Sequence, residues 1–258
     1  MRLMKRILSA AAVLALSASL LVGCSSGTAS SVPVSASSAA ESTVSSVEET
    51  ASSAVDENEA AAAQLLNDLT GSYQELWPVI LADEYQQTWL DDCTALVGEE
   101  NAEAAFEKLS SMVTGDVYGE DAVEAYANGG GAYFCGFTND LATLTFDGET
   151  STISGTDKDG NVLFSHTYHY IGMEPVHGLY EFESDDADSG EFTYFFLAPD
   201  TSAETYHIEF RYGSDAEALS QYDAGEYAYW VASGISTDCD QTMIDNCIEL
   251  FCTENLAG

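Results

Sequence analysis

Thr205, His207 and Glu209 alternate along a stretch, Tyr206 to Tyr212, whose apolar residues recur with period two. On a β-strand such positions share a face, so a hydroxyl, an imidazole and a carboxylate point the same way. Asp200 and Glu204 lie in the loop just before. His207 with Glu209, Asp200 and Glu204 makes a nitrogen and oxygen set suited to Zn2+. Its carboxylate excess shifts preference toward harder ions. The alternative is a solvated polar face, Thr205, His207, Glu209 and Arg211, opposite Ile208 and Phe210.

Other motifs are less suggestive. His166 shares a face with Phe164 and Tyr168 and is expected to be a buried, hydrogen-bonded imidazole. His169 and His177 are expected at the surface. Asp186-x-Asp188-x-Gly190 is too short for an EF-hand loop and reads as a tight turn. The chain has no GxSxG, P-loop or HExxH, and no cysteine-histidine pair at a nucleophile elbow, so a binding protein is expected rather than an enzyme.

The elements that must position these residues fall into two halves. Residues 60–69, 72–81, 101–112 and 121–127 carry apolar residues at helical spacing, with Pro78 expected to kink the second. The period then changes to two. Strands are expected at 133–137, 142–146, 152–154, 162–170, around Tyr180 and Phe182, at 192–196 and at 206–212, joined by turns such as Asp147-Gly148 and Lys158-Asp159-Gly160-Asn161. A helix over 241–251 follows. A meander of short antiparallel strands predicts a mainly β protein, a lipocalin/calycin-like antiparallel β-barrel with N-terminal helices and a C-terminal helix.

The chain opens on a targeting segment. Arg2, Lys5 and Arg6 precede an apolar run, and Leu21-Val22-Gly23-Cys24 reads as a lipobox. Residues 1–23 are expected to be a lipoprotein signal peptide, with lipid attached at Cys24 as the only membrane contact. Residues 24–60 are Ser/Ala-rich and lack aromatic residues, which predicts a disordered tether. Residues 61–258 make one domain. The expected location is the outer face of the membrane. Three of the 6 basic residues lie in the signal, leaving 3 against 44 acidic residues, a formal charge of −41. Such a chain repels nucleic acid and anionic membrane surfaces. The charge serves solubility, and it also concentrates divalent cations.

Five cysteines remain in the domain: Cys93, Cys135, Cys239, Cys247 and Cys252. The spacing lacks CxxC and favours one or two structural disulfides over thiolate metal ligation. It does not give the pairing, and a reducing habitat would leave every thiol free.

The second half resembles the ZinT/YodA family, lipocalin-like metal-binding domains also fused to zinc-uptake lipoproteins. The resemblance rests on the run from Gly178 through the acidic turn to Tyr194, on Tyr168-His169-Tyr170-Ile171-Gly172 before it, and on His207-Ile208-x-Phe210-x-x-Gly213. Tyr73-Gln74-x-x-Trp77-Pro78 is similar to the family's first helix, and Trp230 is a weaker match. The family motif places His-x-His on the ligand strand and a third histidine in the preceding loop. Here those positions read Thr205-Tyr206-His207 and, near the third, Asp200. The family's three-histidine site cannot form. The resemblance implies an exported lipoprotein that binds a divalent metal, zinc or cadmium, for recruitment or homeostasis, with a metal ABC transporter or its binding protein as partner. A metal-independent barrel that binds a small ligand or a protein partner is the other reading.

Overall fold

The computed structural model describes residues 57–257. The expected signal peptide, Cys24 and the tether as far as residue 56 lie outside the described residues. A helix, α1, spans 57–68 and buries Ala62, Leu65 and Leu66, an i, i+3, i+4 set on one face.

Eight strands follow: β1 (Gly71–Glu75), β2 (Thr143–Asp147), β3 (Thr152–Thr156), β4 (Val162–Met173), β5 (Tyr180–Ser184), β6 (Tyr194–Leu197), β7 (Ile208–Gly213) and β8 (Ala232–Ser236). They form a closed antiparallel barrel in sequence order, with β1 pairing both β2 and β8. Closure removes the sheet edges, whose unpaired backbone groups would otherwise template association. The molecule is thus mainly β, with the expected architecture.

The helices are α2 (Leu76–Ile80), α3 (Gln86–Val97), α4 (Glu99–Val113), α5 (Glu120–Ala125), α6 (Ser202–Thr205), α7 (Ala216–Leu219) and α8 (Gln241–Leu256). Three sequence expectations need correction. Residues 72–81 are not one helix: Tyr73 sits in β1, and Pro78 occupies the first turn of α2, where its missing N–H costs no bond. Tyr133 to Phe137 is no regular strand, and only Phe134 makes isolated bridges, to Thr114 and Trp230. The strand expected at 192–196 starts later, at Tyr194, because Phe192 lies in a 3-10 turn; its inward residue is Phe195, which pairs across to Phe182 and Tyr212.

Two cores result. The barrel interior holds Phe146, Phe182, Phe195, Phe210, Tyr212 and Trp230, all essentially inaccessible. Tyr212 stacks on Phe195 at 5.4 Å and meets Trp230 edge-on at 5.0 Å. Gly155 on β3 faces Phe164 on β4, and a Cβ there would stand 2.3 Å from the Leu141 side chain, so the close layer needs a glycine. The second core lies outside the barrel, where Trp77, Trp89, Leu109, Cys247, Ile248 and Phe251 join the helices to its wall.

Candidate functional site

Along β7, Ile208, Phe210 and Tyr212 face the barrel interior. Glu209 and Arg211 therefore face outward, under the second layer. This face is not solvated: His207 is 5% exposed and Arg211 fully buried. The solvated-face alternative is overturned, because the helices and the β7–β8 connection cover these residues.

Thr205 is not on the strand. It ends α6, and Tyr206 follows in the left-handed region (φ 67°), which resets the chain before β7. The Thr205 hydroxyl shares its one hydrogen between two carbonyls within reach, those of Thr201 (3.1 Å) and His207 (2.8 Å), tying the helical turn to the strand start. The turn brings back what alternation alone would not: Ala198, Asp200, Thr205, His207 and Glu209 line one cavity of about 10 Å³. That is room for one water-sized body. Glu204 is not among the lining residues. It is exposed, and its carboxylate turns back to the Thr201 backbone N–H at 3.5 Å as a helix cap.

His207 is held by a hydrogen bond at Nδ1 and faces a carboxylate with Nε2. Nδ1 lies 2.7 Å from the Thr205 carbonyl oxygen, and the Cys247 Sγ approaches the same atom at 3.8 Å. Nε2 faces Glu209, 3.8 Å from Oε1. Burial opposes charge on the ring, but Cys247 and the Glu209 carboxylate outweigh it, so the pKa stands well above the ordinary histidine value. Asp200 is held above the carboxylate range by burial, then by the charges of Glu204 and Glu209, with His207 pulling the other way.

Sequence reasoning missed two groups on α8. Cys247 packs against His207. Glu254, on the last turn, has its pKa raised by burial and by the charges of Glu209 and Asp200, against the pull of His207. The signal was available: positions 247, 251 and 254 recur at i, i+4, i+7, so Glu254 shares the face of Cys247. The arrangement is a confined nitrogen and oxygen pair, His207 and Glu209, with two further carboxylates in electrostatic reach. Among the described residues, no group of three or more His, Cys, Asp or Glu side chains is already gathered around a metal position.

The other histidines have partners. His166 faces inward at the barrel end and bonds Asp186 at 2.8 Å, but it is only partly buried, so the hydrogen-bonded half of the expectation holds and the buried half does not. His169 is exposed and pairs with Asp185 at 2.8 Å. His177 is not a free surface residue. It packs edge-on against Tyr222, ring centroids 4.1 Å apart, and burial lowers its pKa. The acidic turn is a turn: Ser189 bonds the Ser184 hydroxyl (2.7 Å) and the Asp186 carbonyl (2.8 Å).

The fold and site define a closed eight-stranded β-barrel whose polar cavity lies against the outer wall. No family model matches the chain, and no curated protein matches it in sequence. Among solved structures, the Zn(II)-bound ZinT-like domain of AdcA from Streptococcus pneumoniae is similar at 16% identity and a TM-score of 0.45. That match covers 72% of this chain and 89% of the domain. Zn(II)-bound AdcA from the same organism is similar at 16% identity and a TM-score of 0.41, over 72% of this chain and 34% of that protein.

Proposed function

We propose that the protein is an exported, lipid-anchored binding protein for a divalent metal ion, zinc foremost and cadmium second. The observation that carries this is the His207 cavity. Its size suits a single ion and excludes a small organic ligand. Its histidine has one nitrogen tied to a carbonyl and the other directed at a carboxylate, the arrangement that orients metal-binding imidazoles. Two ligands about 2.1 Å from a tetrahedral zinc stand about 3.4 Å apart, so the 3.8 Å between His207 and Glu209 needs little adjustment. Asp200 would complete the set by turning its carboxylate into the cavity, with Glu254 as an outer carboxylate. Glu204 is left out, since it already caps α6.

The barrel interior argues against the small-ligand reading, because stacked aromatic rings fill it. In the proposed role Cys24 anchors the domain on the outer face of the membrane. The domain there takes up metal for a metal ABC transporter or its binding protein, or buffers it. No chemistry on a substrate is assigned.

The test is calorimetric titration of the purified chain with Zn2+ in excess Ca2+, beside His207→Ala. One saturable site, weakened at least tenfold by the substitution, supports the reading. Diffuse binding that Ca2+ suppresses and His207→Ala leaves unchanged overturns it.

A further inference from the structure

We propose that Cys93 and Cys252 are joined by a disulfide that staples α8 to α3. The two sulfurs lie 3.9 Å apart, both residues are fully buried, and they stand 159 positions apart in the chain. The helices that carry them pack along each other. A bond of about 2.05 Å needs an approach of under about 2 Å, within the reach of side-chain rotation between packed helices. The other cysteines are placed differently. The Cys135 sulfur points to the Tyr133 carbonyl, Cys247 faces His207, and Cys239 is only half-buried.

The oxidant is a small or protein disulfide, as met outside the cytoplasm. One cysteine thiolate attacks a sulfur of that disulfide, forming a mixed disulfide and expelling one thiolate. The second cysteine thiolate then attacks the bound cysteine's sulfur and expels the other. The protein loses two hydrogens, the oxidant gains two thiols, and the protons go to the expelled thiolates. Burial pushes both thiols up, Cys252 most, so thiolate is scarce once the helices have docked. The bond therefore forms during folding and afterwards resists reductant. Its effect is mechanical: it fixes the helix whose Cys247 backs the His207 ring.

The experiment refolds the full chain from denaturant with reduced and oxidised glutathione. Free thiols are alkylated under denaturing conditions, and the digest is mapped by mass spectrometry. The expected result is a peptide pair linking Cys93 to Cys252, with Cys135, Cys239 and Cys247 alkylated. In the folded protein dithiothreitol should open the link slowly, and quickly once denaturant is added. Alkylated Cys93 and Cys252 in the refolded wild type, or either one linked to another cysteine, overturns the proposal. The wild-type map decides this even where Cys93→Ser fails to fold. The bond is scored on sulfur alone, so its failure leaves the metal reading standing, and failure of zinc binding leaves the bond standing.

Discussion

His207 Nδ1 lies 2.7 Å from the carbonyl oxygen of Thr205, two residues before it. A carbonyl only accepts, so Nδ1 carries a hydrogen and Nε2 is the nitrogen that titrates. The αL turn at Tyr206 makes this contact geometrically available, and it leaves the reactive nitrogen facing Glu209 across the cavity.

On the metal reading, capture should therefore release a proton. The His207 pKa stands above its ordinary value, so near neutral pH Nε2–H must leave before a metal can bind. Zinc affinity is expected to rise with pH through the neutral range, with about one proton released per ion. Calorimetry in two buffers of different ionisation enthalpy measures the release. An enthalpy that does not depend on the buffer would remove His207 from the ligand set.

Glu209→Gln keeps the shape of the cavity wall and removes its charge. On the metal reading, zinc binding should weaken about tenfold or more, as when a ligand-shell group is lost. The same change takes away one of the groups that raise the His207 pKa, so the imidazole midpoint followed by NMR should fall. A midpoint that stays put would assign the shift to Cys247 alone.

The barrel was legible because its strands carry the period of two and its turns carry Asp-Gly and Asp-Gly-Asn. The two strands that close it were not. β1 shares its residues with an apolar spacing that also fits a helix, and Tyr73 enters the barrel core while Trp77 enters the helical layer. β8, Ala-Ser-Gly-Ile-Ser, is buried throughout except at its last residue, so it shows no alternation to read. In the site, His207, Glu209 and Asp200 could be grouped from spacing. Glu204 was misplaced because a capping box looks like any other acidic loop until the helical turn is known. Cys247 and Glu254 come from an element some 40 residues on, and tertiary packing alone brings Cys247 to within 3.8 Å of His207.

Without metal, the protein should lose stability as pH rises. His207, Asp200 and Glu254 all have folded pKa values above their ordinary ones. A group raised in this way contributes stability that is fully present below its unfolded value, about 4 for the carboxylates and about 6.5 for histidine. That stability is lost as pH rises through the folded value. The large negative charge acts in the same direction by self-repulsion. Thermal melts should show a higher melting temperature near pH 5 than near pH 8. On the metal reading, added zinc should narrow the gap, since it binds the deprotonated groups. His177, whose pKa burial lowers, works the other way and regains stability as pH rises, one group against these three. A melting temperature that climbs steadily from pH 5 to 8 without metal would mean that the raised groups do not govern the balance.

Arg211 is the buried cation that holds the β7–β8 connection to the barrel. Its guanidinium donates to the carbonyls of Leu219, Gln221 and Tyr227, and it lies 4.2 Å over the Tyr222 ring. Among the described residues the ion pairs within 4 Å all involve histidine, so carbonyl oxygens, not a carboxylate, hold this charge. Burial lowers its pKa, and Tyr222, Tyr133 and Glu174 act against that shift. Lysine cannot reproduce a planar fork spread over three carbonyls. With hydrogen bonds to charged groups worth about 1.5–3 kcal/mol each, Arg211→Lys should cost about 3 kcal/mol or more. It should also raise amide hydrogen exchange over 219–227. Denaturant unfolding together with exchange mass spectrometry tests both effects. A variant as stable as wild type, with that segment still protected, would mean that the backbone of the connection holds itself.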